Sequence, residues 1–150
     1  MDKVPIGVRR ILPTAKLPEY KTKQAAGMDL AAAEAITIHP TETAMIRTGL
    51  CFQIPEGYEL QIRPRSGLSL QTGLRIENSP GTIDSDYRGE VLVLMQNTGA
   101  ATFVMLPGDR IAQLVLAKIP RAYLYDIAEL EETERGSGGV GHTGIREENK

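Results

Sequence analysis

The stretch Pro55-Glu56-Gly57-Tyr58-Glu59-Leu60-Gln61-Ile62 decides the fold class. Pro, Glu and Gly mark a turn, and the five residues after it alternate apolar and polar, as a strand buried on one face does. Outward from it the pattern recurs in both directions. Punctuation falls at Pro13, Pro18, Gly27, Pro40, Gly49, Pro64, Gly67, Gly73, Pro80-Gly81, Gly89, Gly99, Pro107-Gly108 and Pro120, with short runs rich in Ile, Val, Leu and Thr between. Ile36-Thr37-Ile38, residues 91–95 and residues 111–119 are further predicted strands. The run 91–95 is apolar throughout, so cover on both faces is expected. Short strands at regular spacing read as a sandwich or barrel. Helix signals are thin: one or two turns after Ser66, with Ser66 as cap, and a helix-prone Ala31-Ala32-Ala33-Glu34 too short to stand alone.

The chain has 150 residues, enough for one domain with a real core, and no internal repeat or boundary divides it. Fifteen Gly and nine Pro, with two Phe and no Trp, predict many turns around an aliphatic core. A net charge of −2 with no basic block argues against a general nucleic-acid binder. Cys51 has no partner for a disulfide, and it gives no metal-ligand spacing with His39 and His142; it reads as a small core residue between Leu50 and Phe52. No apolar run is long enough to span a membrane and no signal peptide is evident, so a cytoplasmic protein is expected.

Several segments offer chemistry without deciding it alone. Arg65-Ser66-Gly67 reads either as an ordinary strand end with a cap or as a phosphate site built from a guanidinium fork, a hydroxyl and helix amides. Asp84-Ser85-Asp86-Tyr87-Arg88-Gly89 lies between Pro80-Gly81-Thr82-Ile83 and the strand at Val91, so it reads as the end of a hairpin. On extended chain Asp84 and Asp86 would point the same way, which suits a solvated turn, a nearby Arg, a cation or catalysis. Gly27-Met28-Asp29-Leu30 reads as a turn, and Gly108-Asp109-Arg110-Ile111-Ala112-Gln113 as a turn into a strand. The tail from Arg135 to Gly144 places five glycines in nine residues. It reads either as a disordered end or as a lid that orders over a ligand, with amides free for phosphate.

Taken together and in this order, the segments resemble the trimeric deoxyuridine triphosphatase family. The resemblance rests on Ala26-Gly27-Met28-Asp29-Leu30, Pro64-Arg65-Ser66-Gly67-Leu68, Gly81-Thr82-Ile83-Asp84-Ser85-Asp86-Tyr87-Arg88-Gly89, Gly108-Asp109-Arg110-Ile111-Ala112-Gln113-Leu114 and Arg135-Gly136-Ser137-Gly138-Gly139-Val140-Gly141-His142-Thr143-Gly144. It implies an all-β, jelly-roll-like fold with one short helix, in a homotrimer with shared active sites. It divides the chain into a β domain over residues 1–134 and a flexible glycine-rich lid over 135–150. In each site the first, second and fourth motifs come from one subunit, the third from a second subunit and the tail from the third.

The implied activity is hydrolysis of dUTP to dUMP and pyrophosphate by water attack at the α-phosphorus. This limits uracil incorporation into DNA and supplies dUMP for thymidylate synthesis. By the same resemblance, Arg65, Ser66 and Gly67 hold the α- and β-phosphates, with Ser66 near the bridging oxygen, and Gln113 binds near the phosphates. Asp29 holds waters of a Mg²⁺ carried on the triphosphate. Asn78, with the backbone around Thr82, Ile83 and Leu92, reads the uracil edge. Asp84 contacts the 3′-hydroxyl and serves as general base, Tyr87 packs on the deoxyribose, and Arg135 approaches the γ-phosphate. Val140 stands where an aromatic, most often Phe, stacks on uracil. No membrane or nucleic-acid partner is implied. A related dCTP deaminase would carry paired serines in the second motif and a catalytic Glu, which fits Arg65-Ser66-Gly67 and Asp84-Ser85-Asp86-Tyr87 less well. A regulator without turnover would have no need to keep Asp84, Asp29 and Arg135.

Overall fold

Turns and alternating runs become eleven strands and one short helix among the described residues of the computed structural model, which are 3–140 and Gly144. The chain forms two units, one ending at Pro120 and one beginning at Arg121. In chain order the first contains β1 (Gly7–Arg10), β2 (Met28–Ala31), β3 (Ile36–Ile38), β4 (Thr43–Arg47), β5 (Leu50–Gln53), β6 (Tyr58–Arg63) and α1 (Ser66–Gln71). There follow β7 (Leu74–Ile76), β8 (Gly81–Ile83), β9 (Leu92–Asn97), β10 (Phe103–Met105) and β11 (Arg110–Lys118). Every pairing is antiparallel. The sheets run β2-β11-β6-β8, β4-β9-β7, β1-β5 and β3-β10. Neighbours distant in sequence make this a jelly-roll-like domain rather than a string of hairpins.

The alternation read at residues 58–62 is realised in β6. Leu60 and Ile62 are buried while Glu59 and Gln61 are half-exposed. Leu60 meets Leu116 across the ladder and Ile62 meets Leu114. The core is aliphatic, as the composition predicts, with Phe52 the one buried aromatic among the described residues, beside Leu30, Ile38, Ile46, Leu50, Leu74, Val93, Met95, Met105 and Ile111. Each such Leu or Ile contributes about 1.5–3 kcal/mol on burial, whereas the exposed Lys21–Glu19 pair adds little. Apolar burial therefore holds this fold.

Four local expectations are corrected. Within a single chain the run at 91–95 is covered on one face only: in β9 Val93, Met95 and Asn97 are buried but Leu92, Leu94 and Gln96 are half-exposed, because the chain's own core lies on one side of that sheet. Cys51 points away from the core between inward Leu50 and Phe52, as strand alternation requires, and is half-exposed. Ser66 is the first helical residue rather than the cap; Arg65 takes the cap position and makes no capping side-chain bond. Residues 28–31 are strand β2 rather than a turn, since Leu30 and Ala31 are drawn into the core.

Candidate active site

The first, second and fourth motifs meet on one sheet. β11 lies between β2 and β6, and Gln113 stands in register with Asp29 on one side and Arg63 on the other. A β-bulge aims the polar groups. Arg110 pairs with Ala31 and Ala112 with Leu30, so Ile111 is the extra residue. Arg110 and Gln113, three apart, would face opposite ways on a regular strand. The extra residue returns both to the face of Asp29 while Ile111 and Ala112 stay buried.

Two guanidiniums hold the Asp29 carboxylate. Arg65 Nε donates to Oδ1 at 3.1 Å and Arg110 Nη1 to Oδ2 at 3.1 Å. Arg65 Nη1 also donates to the Arg110 carbonyl at 3.1 Å, which fixes the fork just ahead of Ser66 and Gly67. The Asp29 side chain is 17% exposed, so screening is partial and these charge-assisted bonds count for more than surface pairs. Gln113 Nε2 donates to the Pro64 carbonyl at 2.9 Å. Its amide oxygen lies where a side chain on residue 27 would be, so any other residue there would push the Gln113 amide from its present place. Nothing lies within 4 Å of where a Cβ on Gly67 would stand, so that backbone faces open space.

The third motif lies elsewhere on the same sheet. β8 pairs with β6, Gly81 opposite Ile62 and Ile83 opposite Leu60, with Thr82 facing outward and Ile83 buried. Asn78 is exposed, and its amide nitrogen borders Gly81. Residues 84–91 are not a hairpin end, since β8 and β9 belong to different sheets and the segment crosses between them. Nor do Asp84 and Asp86 share a face on extended chain: the Tyr87 amide donates to the Asp84 carbonyl at 3.2 Å, closing a turn over Ser85 and Asp86. Tyr87 is exposed and its hydroxyl donates to the Glu90 carbonyl at 2.9 Å. Leu92 opens β9 opposite Arg47.

These two clusters do not meet within one chain. Asp84 follows Ile83, level with Leu60 near the start of β6, while Arg65 lies beyond Arg63 at its other end. The residues from Leu60 to Arg63 alone span about 10 Å. In the second unit Arg135 Nε donates to the Gly138 carbonyl at 2.8 Å and the Gly138 amide returns to the Arg135 carbonyl at 3.1 Å. Val140 is fully exposed. Gly141, His142 and Thr143 lie outside the described residues.

Sequence reasoning passed over three contributors. Arg110 clamps Asp29, and Arg47 with Glu90 supports the Tyr87 segment. The signal for Arg110 was present: two apolar residues between Arg110 and Gln113 break alternation and mark the bulge.

These features define an all-β protein with an arginine–carboxylate corner and a separate turn bearing exposed acids. Comparison with known proteins identifies the family. The dUTPase family model matches residues 14–144. The deoxyuridine 5'-triphosphate nucleotidohydrolase of Syntrophotalea carbinolica is 49% identical over 97% of this chain and 100% of its own length. That of Wolinella succinogenes is 47% identical over 96% and 97%. Among solved structures, a variant of the Staphylococcus bacteriophage 80alpha dUTPase with dUpNHpp superposes with a TM-score of 0.88 at 30% identity, over 94% of this chain and 99% of its own. A variant of the dUTPase from phage phi11 of S. aureus, described as coordinating a structural Mg(II) ion, has a TM-score of 0.80 at 30% identity, over 85% and 99%. The chain belongs to the dUTPase family.

Proposed function

We propose that this chain hydrolyses dUTP to dUMP and pyrophosphate, and that the corner of Asp29, Arg65 and Gln113 is where its phosphates bind. That corner carries the reading, because it gathers three motifs around an arginine fork held immediately before Ser66 and Gly67. Arg65, Ser66 and Gly67 hold the α- and β-phosphates and Gln113 binds beside them. Asn78, with the backbone of Thr82, Ile83 and Leu92, reads the uracil edge, and Tyr87 lies against the deoxyribose. Asp84 takes a proton from the attacking water as the new bond forms at the α-phosphorus. The bond to the bridging oxygen breaks, and pyrophosphate leaves against the positive charge of Arg65 and Arg135.

A magnesium ion fits this donor set as a passenger on the triphosphate. Among the described residues no group of three or more His, Cys, Asp or Glu side chains converges on a common point, so the protein offers Asp29 rather than a cage. Mg²⁺ keeps most of its waters and takes one or two carboxylates plus phosphate oxygens. When bound it neutralises phosphate charge. Asp29 would hold its waters, with Arg65 and Arg110 orienting the carboxylate.

The separation of Asp84 from Arg65 within a chain supports sites shared between copies, and a homotrimer with the tail of the third copy as lid completes them. Exposed apolar side chains support burial against other copies: Met45, 62% exposed, stands opposite Leu94 on the outer side of the β4-β9-β7 sheet. Light scattering should give a mass near three times 16.4 kDa. A fully active monomer would remove the shared-site assignment. No helix is long and apolar enough to cross a membrane among the described residues; cytoplasmic residence belongs to the same proposal.

The decisive assay measures pyrophosphate release from dUTP, UTP, dTTP and dCTP. Turnover is expected on dUTP alone, since the wrong base edge leaves buried polar groups unpaired and a 2′-hydroxyl meets Tyr87. Comparable kcat/KM on dUTP and UTP would overturn the assignment.

A further inference from the structure

We infer that Glu90 and Arg47 are positioning residues for sugar discrimination, acting by holding the ring of Tyr87 in place. This rests on the reading that Tyr87 packs on the deoxyribose, and it goes beyond it by assigning what keeps the ring there. Discrimination by clash works only if the clashing group does not yield. Tyr87 lies in a segment between sheets and is 45% exposed, so packing alone does not fix it.

What fixes it is a chain of bonds ending in the β4–β5 corner. The Tyr87 hydroxyl donates to the Glu90 carbonyl at 2.9 Å. Glu90 is itself pinned through its carboxylate, which accepts from Arg47 Nε at 3.1 and 3.0 Å and from the Gly49 amide at 2.9 Å. That carboxylate is only 15% exposed, so the ion pair is better shielded than a surface pair. The next residue is held too, as the Val91 amide donates to the Leu50 carbonyl at 2.8 Å and Thr48 Oγ1 donates to the Val91 carbonyl at 2.6 Å.

Two glycines make the arrangement possible. A side chain on residue 89 would overlap the Tyr87 ring, so Gly89 lets the ring fold back over its own backbone. Gly49 has φ +66° and sits against Leu12 and Ala15, so a side chain there would displace the amide that reaches Glu90. Arg47 also bonds Glu34 at 3.1 Å, which limits its own freedom. The ring is thus tied at its far end to a residue that Arg47 and the Gly49 amide hold in place.

The test reads the ratio of kcat/KM for dUTP to kcat/KM for UTP, beside thermal melting. A merely structural role would lower activity on both nucleotides and leave the ratio alone. Glu90→Ala should lower the ratio by about tenfold, the loss expected of a charge-assisted anchor. Glu90→Gln should restore most of it, because the amide oxygen still accepts from Arg47 or Gly49. Should Glu90→Ala fail to fold, Tyr87→Phe removes only the hydroxyl donor and should lower the ratio several-fold. Tyr87→Ala reports on the underlying reading. If it keeps the parent ratio, sugar packing is wrong and the inference falls with it. If Tyr87→Ala loses discrimination while folded Glu90→Ala and Tyr87→Phe keep it, the positioning role alone is overturned.

Discussion

Replacing Asp84 by Asn should lower kcat on dUTP by roughly 10²–10⁴-fold, the loss expected when a general base is removed. The substitution keeps shape and removes only the charge and the proton acceptor. Asp84 is exposed at the head of a turn, and that turn is closed by its backbone carbonyl rather than its carboxylate. Folding and melting temperature should therefore stay close to the parent, within about 0.5 kcal/mol. An asparagine oxygen still accepts a hydrogen bond from a 3′-hydroxyl, so binding of an unhydrolysable dUTP analogue should change little. Loss confined to kcat identifies an interaction made only in the transition state. Normal turnover by Asp84→Asn would move the role elsewhere, and Asp86, two residues on in the same turn, would be tested next.

The fold was legible where burial dictated period. Residues 58–62 alternate because one face of β6 meets the core, and Ile36–Ile38 emerged with the bounds its sequence suggests. Where burial is one-sided yet both faces are apolar, as at Leu92 and Leu94, alternation vanishes from the sequence and the exposed side cannot be told from the covered one. Strand β2 was hidden for a different reason: Gly27 looks like a turn residue, but the Gln113 side chain of another strand lies against it. Tertiary contact between segments far apart in sequence leaves no local signature.

The candidate site divides in the same way. Short motifs named Asp29, Arg65 and Gln113, but only the sheet order puts them together and only the bulge at Ile111 aims Arg110 at Asp29. The face shared by Asp84 and Asp86 was expected from extended geometry, and the turn at Ser85 and Asp86 removed it. Arg47 and Glu90 were invisible because their importance lies in a contact across 43 residues.

Truncation after Glu134 should lower kcat on dUTP by roughly 10²-fold while leaving the fold intact. The removed part contains Arg135 and the glycine-rich segment with Val140, and no buried residue of the core lies beyond Val115 among the described residues. The removed segment supplies none of the buried core residues, so melting and the mass of the proposed trimer should hold. Without the lid the triphosphate stays hydrated and poorly aligned. Misplacement by an ångström at the reacting centre costs rate more than ground-state affinity, so KM should move less than kcat. On this reading Arg135 supplies the charge part of the effect, so Arg135→Ala in the full chain should reproduce a portion of the loss seen on truncation. On the proposed lid, Val140 would cover uracil without a π-face. Stacking on a base is worth about 1–3 kcal/mol relative to Ala. Valine regains part of this by apolar contact, so the loss relative to Phe is about 1 kcal/mol, or roughly fivefold. Val140→Phe in the full chain should raise kcat/KM several-fold at most. A truncated protein with full activity would sink the lid assignment. A Val140→Phe protein slower than its parent would instead show a closed site shaped around the smaller side chain.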